Sequence, residues 1–217
     1  KKENNKLLLS QKRFLFLDKT QTNAEYTQTN ADYTQTNANT KHINTNNPRL
    51  SAYVWKIPLV IEIDNAEERK ILKEKEEMIS ETNFSTFILN KNYSSFFVSD
   101  YDEEILKRNL ENLEKLNEID QVNLIHDYDM LVGKGEKDFK SFLEILEKYF
   151  LNTDKKFVLS EIISYLNFYY FLSQEKLNKA IYLLEQFSLR VLEILDKEPK
   201  ENEEPYETAL RQKALFS

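Results

Sequence analysis

The chain of 217 residues has no cysteine, 2 glycines, 2 histidines and no long apolar run, and each shortage removes a class of function. Without cysteine there is no disulfide framework, no thiol nucleophile and no thiolate metal cluster, which leans toward a reducing compartment. A phosphate cradle needs several glycines in one short loop. Gly133 and Gly135, in Val132-Gly133-Lys134-Gly135, have neither the P-loop nor the dinucleotide spacing. His42 and His126 each lack a second histidine four residues away, so no zinc helix of the His-Glu-x-x-His kind is present. A membrane span needs about 20 apolar residues in a row, and Leu7-Leu8-Leu9 at the start is too short for a signal sequence. The excess is acidic, with a net charge of -7, which argues against a nucleic-acid partner.

What is present is aromatic and organised in two halves. Lys6 to Leu17 reads as one or two strands with a polar break. From Thr20 three copies of a seven-residue Thr-Gln-Thr-Asn-Ala unit follow in tandem; with one Ala and at most one Tyr per copy they cannot bury a coiled-coil seam. Residues 20–47 are therefore expected to be a low-complexity insertion. Tyr53 to Asp64 alternates, with Leu59, Ile61 and Ile63 dry and Val60, Glu62 and Asp64 wet, and Pro58 points to an edge or a bulge. Residues 65–82, rich in Glu and Lys, read as a charged insertion forming an exposed helix or a solvated loop. Phe84 to Leu89, a turn at Asn90 to Tyr93, and Phe96 to Val98 read as a second strand pair.

At Asp100 the apolar period changes from two to that of a helix. Helices are expected from Asp102 (with Asp100 as its cap), over Ile119 to Leu131 with a stop at the Gly133–Gly135 turn, over Phe139 to Phe150, over Phe157 to Leu172, from Leu177 to Leu195, and from Pro205 onward. Short connections between them imply antiparallel neighbours. The fold class is thus α+β: residues 1–100 form a small β-sandwich, and residues 101–217 the first helices of an α-solenoid of HEAT or armadillo type. The last helix offers no polar cap, from which a longer parent chain is expected.

Candidate chemistry is sparse. His126-Asp127-Tyr128-Asp129 could bind a metal, but on a helix His126 and Asp129 share a face while Asp127 points elsewhere, so a polar contact between helices is the simpler reading. Tyr165, Tyr169 and Tyr170 could stack on a ligand, yet aromatics at helical spacing are the pattern of a core. The acidic run Glu67 to Glu77 reads as a solvated face. No catalytic, cofactor-binding or metal-binding residue is assigned.

The order of the patterns is more specific than any one of them. Gln11-Lys12-Arg13-Phe14, then Trp55-Lys56-Ile57-Pro58-Leu59, then Asn90 followed by Ser95-Phe96-Phe97-Val98 and Tyr101, resembles the β-sandwich of the zinc aminopeptidases that include the puromycin-sensitive, insulin-regulated and endoplasmic-reticulum enzymes. Asp120-Gln121-Val122-Asn123-Leu124-Ile125-His126-Asp127, leading to Gly133, is similar to the Asp-Arg-x-Gly-Leu-x-x-Asp start of their helical domain, and Leu210-Arg211 matches a Leu-Arg in a later helix. Ser95 and Asn123 stand where that family has Gly, and Gln121 where it has Arg.

The resemblance implies a non-catalytic C-terminal region of an aminopeptidase that removes N-terminal residues from peptides. Zinc and its ligands would belong to a separate catalytic domain, and no cofactor to this chain. The sandwich would be a spacer and the helices the lid and wall of the peptide cavity. The implied partners are the peptide substrate and that catalytic domain, with no nucleic acid and no membrane, and the implied compartment is cytoplasmic. A self-standing helical scaffold that binds a partner protein is the alternative. A chain lacking residues 20–47 is expected to keep one cooperative thermal transition, displaced by no more than about 1 kcal/mol; loss of that transition would show the repeat to be structural.

Overall fold

The computed structural model describes residues 2–3, 6–12, 54–79, 83–172 and 178–216. The tandem repeats and the Arg13-Phe14 pair lie outside them. Two antiparallel three-stranded sheets come first. One is ordered β1-β2-β5, from β1 (Lys2–Glu3), β2 (Lys6–Ser10) and β5 (Glu76–Ile79); the other is β4-β3-β6, from β3 (Ile57–Ile63), β4 (Ala66–Leu72) and β6 (Phe87–Ile88). Leu7, Leu9 and Ile79 of the first sheet share a core with Leu59, Ile61, Leu72, Phe87 and Ile88 of the second.

The charged segment 65–82 is where the expectation fails: its described residues, 65–79, hold two strands and no helix. Asp64 and Asn65 both take positive φ, 46° and 70°, the left-handed pair that a tight two-residue hairpin requires and that Asp and Asn tolerate. The hairpin sets Ile63 opposite Ala66 and Ile57 opposite Leu72. Because β4 is an edge strand with most side chains in water, its Glu, Arg and Lys are compatible with pairing and protect the edge from other chains. Pro58 lies in the half of β3 that β6 does not reach, so the missing N–H breaks no ladder there. Glu62, read as wet, is buried against Lys91.

Phe96 to Val98 forms no strand. Instead the chain after β6 turns through a 3-10 helix, Lys91–Tyr93, in which Asn92 and Tyr93 are both left-handed. Asn90 closes the turn with its side chain, donating to the Ser95 carbonyl (2.8 Å) and accepting from the Ser95 N–H (2.9 Å). An amide side chain thus takes the place of a strand partner.

Six helices follow among the described residues: α1 (Glu103–Glu111), α2 (Glu118–Gly133), α3 (Phe139–Ile145), α4 (Lys156–Leu172), α5 (Asn178–Leu195) and α6 (Pro205–Leu215). Asp102, and not Asp100, caps α1 by accepting from the Ile105 N–H (2.9 Å), while Asp100 pairs with Lys137. The glycine stop holds: Gly135, at φ 77°, sends its N–H back to the Val132 carbonyl (2.8 Å). The third helix ends in a wider π turn over Leu146–Phe150. Pro205 occupies the first turn of α6.

Cross-helix bonds give the arrangement. His126 meets Tyr165 and Asp129 meets Tyr169, so α2 and α4 run parallel. Lys156 pairs with Glu207, and Lys213 reaches Ser160 and Ser164, so α4 and α6 run parallel too. α3 and α5 pack behind this layer, enclosing Phe142, Leu146, Phe150, Ile162, Leu166 and Phe187. Arg211, 3% exposed, ties the bend between α5 and α6 by donating to the carbonyls of Leu195 (2.9 Å) and Asp196 (2.8 Å) and to Glu203.

α1 belongs with the sheets, since Ile105 enters their core. Its Asn109, fully buried, accepts from the Phe87 N–H and donates to the Phe87 carbonyl, both at 2.8 Å, and so pairs β6 as a neighbouring strand would. Asn109→Ala is expected to strand both backbone groups and to lower stability by about 2–4 kcal/mol, read as a lower urea midpoint at unchanged slope.

Candidate functional site

The residues singled out by sequence lie where α2 meets the sheets and α4. His126, Asp127 and Asp129 leave the helix in two directions, as helical spacing requires. His126 Nδ1 lies 2.8 Å from the Tyr165 hydroxyl, and its ring meets Tyr93 edge-on at 5.6 Å. Asp129 hydrogen-bonds Tyr169, and burial pushes its carboxyl above the usual range. Burial and the Asp129 charge likewise raise the Tyr165 and Tyr169 hydroxyls far above an ordinary tyrosine, so both stay protonated. Asp127 points the other way and accepts from the Ser99 N–H at 3.0 Å.

This arrangement does not fit a catalytic zinc. His126 is engaged by Tyr165, and among the described residues no three His, Cys, Asp or Glu side chains converge on one point. Among the described residues, two small cavities, one lined by Phe142 and Phe150 and one by Ser99 and Tyr101, have volumes of about 10 Å³ each, room for one water at most. No helix of the described residues is long and apolar enough to cross a membrane.

Tyr165 and Tyr169 are half-buried against Phe142, as a core reading requires, but Tyr170 is exposed and falls outside it. Sequence reasoning missed a second exposed group on another side of the helix. Phe157, Phe168 and Phe171 lie at helical spacing on the open side of α4, and Phe168 and Phe171 are 57% and 83% exposed. α4 is apolar nearly all round, a pattern that ordinarily marks the middle of a stack, but here it is covered on both flanks and open along one side.

A polar seam runs along the other face of α2. Asp120 is fully buried, accepts from the Asn92 N–H at 2.7 Å and pairs with Lys91 at 2.6 Å. Lys91 reaches Glu62 on β3 at 2.8 Å in the same place. Burial lowers the Lys91 pKa, but the carboxylates of Asp120 and Glu62 outweigh it and hold the ammonium above the ordinary lysine value. Gln121 donates to the carbonyls of Leu113 (2.6 Å) and Leu116 (3.1 Å), closing the turn before α2. The Leu89 N–H donates to the hydroxyl of buried Tyr101 at 3.0 Å. Gln11 brackets Trp55 through its N–H and carbonyl and also reaches the Glu74 carbonyl. The motif residues thus hold backbone in place.

The comparison with known families points the same way. Residues 86–217 match the model described as the ERAP1-like C-terminal domain, which begins at the Asn109-paired strand and runs through all six helices.

Lys91→Met should leave Glu62 and Asp120 buried without a cation and cost about 3–5 kcal/mol in thermal unfolding. Adding Glu62→Gln and Asp120→Asn should recover most of it; failure to recover would mean that the lysine stem, and not its charge, carries the effect.

Proposed function

The chain belongs to the ERAP1-like C-terminal domain family, the C-terminal domains of aminopeptidases of that kind, and from that premise we propose that it is a wall of the peptide-access cavity with no hydrolytic chemistry of its own. The parallel helices α2, α4 and α6, backed by α3 and α5, are the opening repeats of a solenoid, and the two sheets form a sandwich that spaces it from a catalytic domain. Zinc and the water it activates belong to that domain. The cytoplasm is the proposed compartment. The observation that carries the reading is the open stripe of α4, where Phe168 and Phe171 stand in water on the layer built by parallel helices. A pair of large apolar side chains left uncovered is the kind of surface that meets a peptide or a protein.

The test is kinetic, in the full enzyme as its reading frame encodes it. Phe168→Ser with Phe171→Ser is expected to lower kcat/KM for long peptides by roughly fivefold to tenfold, about 1–1.4 kcal/mol, and to leave hydrolysis of a single aminoacyl amide unchanged. Equal loss on both substrates, or no loss on either, would contradict the wall. Loss of binding to a partner protein with unchanged peptide kinetics would favour the scaffold. Stoichiometric zinc or aminopeptidase activity in the isolated 217 residues would overturn the absence of chemistry.

A further inference from the structure

α2 turns three polar side chains toward the segment that joins the sheets to α1: Asp120, Asn123 and Asp127, each almost completely buried. Their charges are treated differently. Asp120 has its cation in Lys91, which is shared with Glu62. Asp127 has no cationic partner among the described residues. Its Oδ2 accepts from the Ser99 N–H, while Oδ1 is buried with no hydrogen-bond partner, and both polar atoms of the Asn123 side chain, one turn earlier, are in the same condition.

The titratable groups around Asp127 do nothing to favour its charge. From the segment 94–101 comes Tyr101, from the 3-10 turn Tyr93, and from α4 Tyr165, each of which feels the Asp127 charge as a cause for staying protonated. On its own helix His126 faces Tyr165, Asp129 faces Tyr169, and Asp120 lies two turns back with Lys91. Asp100 is drawn outward to Lys137. An ionised carboxylate in such a place costs several kcal/mol, and a buried acid of this kind takes up a proton instead.

We propose that Asp127 is a proton-operated latch between the segment 94–101 and α2. With its proton, Asp127 holds the Ser99 N–H on Oδ2 and presents an O–H from Oδ1 to the Asn123 amide oxygen one turn away, so that these two oxygens, otherwise unsatisfied, are paired. Without it, the carboxylate draws water into the seam and the segment loosens from the helix. Burial pushes the Asp127 carboxyl up to about 7, against the opposing pull of the Ser99 N–H and hydroxyl, which places the change near neutral pH. The latch is independent of what the α4 stripe binds.

The sign follows from linkage. A carboxyl whose folded value lies above its unfolded value, near 3.9, adds stability that is complete below about pH 4 and is lost as pH rises toward 7. The experiment uses the whole 217-residue chain. In wild type, the Asp127 carboxyl carbon, assigned by through-bond correlation to its own backbone, should titrate by NMR between about pH 6 and 8, and the Ser99 amide should lose exchange protection, corrected for intrinsic rate, over the same range. Relative to Asp127→Asn, the wild-type unfolding constant should rise about tenfold per pH unit between about pH 5 and 6.5 and level off above 7. A carboxyl that titrates below pH 5, with Ser99 protection flat to pH 8, overturns the latch. Both NMR readings come from wild type, so they decide the matter even if the variant does not fold.

Discussion

Lys91 places its ammonium between two buried carboxylates, Glu62 from the central strand β3 and Asp120 from the first turn of α2. The rest of the structure is arranged around that contact. It fixes the distance between the β4-β3-β6 sheet and the helical layer, and the Asn92 N–H on the same Asp120 holds the left-handed turn that makes it possible. Left-handed backbone at Tyr93 costs on the order of 1 kcal/mol, acceptable only where neighbours fix it so firmly. A buried ion pair of this kind is modest evidence for stability but a strong constraint on geometry, because any other placement of the helix would leave a charge unpaired.

From there the seam continues in both directions along α2, through Gln121 to the preceding turn and through Asp127 to Ser99. Asn109 and Asn90 extend it into the sheet by pairing backbone that has no strand beside it. The residues that carried the family resemblance are largely these: Gln11, Asn90, Tyr101, Asp120, Asp127 and Arg211 each hold main chain, or a neighbour's charge, at a bend or a junction. Ser95 can stand for glycine because its φ is not positive, and Gln121 for arginine because its amide still reaches two carbonyls. Asn123 is the exception, since an amide in place of glycine is buried with only the Asp127 carboxyl proposed as its partner.

The helical half was legible because its signals are local. Apolar spacing, the Gly135 terminus and Pro205 each act within a turn, and the elements fell where those residues placed them. The sheet half was less so. β4 is an edge strand wetted on most of its length, so Glu67 to Lys70 carry no alternation, and only the pairing with β3 makes them a strand. Phe96 to Val98 has strand residues but no partner, because the Asn90 side chain closed the turn before them. At the candidate site, the opposite directions of His126 and Asp127 follow from helical spacing. Their partners Tyr165 and Ser99 do not, being 39 and 28 residues away along the chain. The open stripe of α4 was hidden because an exposed phenylalanine and a buried one look alike in a sequence.

If the seam on α2 joins the sheets and the helices, they share one stability even though each has its own core. Native-state hydrogen exchange under rising denaturant measures this directly, with Ile61 in β3 and Leu166 in α4 as reporters, both fully buried. The two amides should converge on one opening free energy and one denaturant dependence before the global transition. Two separate limits, with β3 opening while α4 stays protected, would contradict the account.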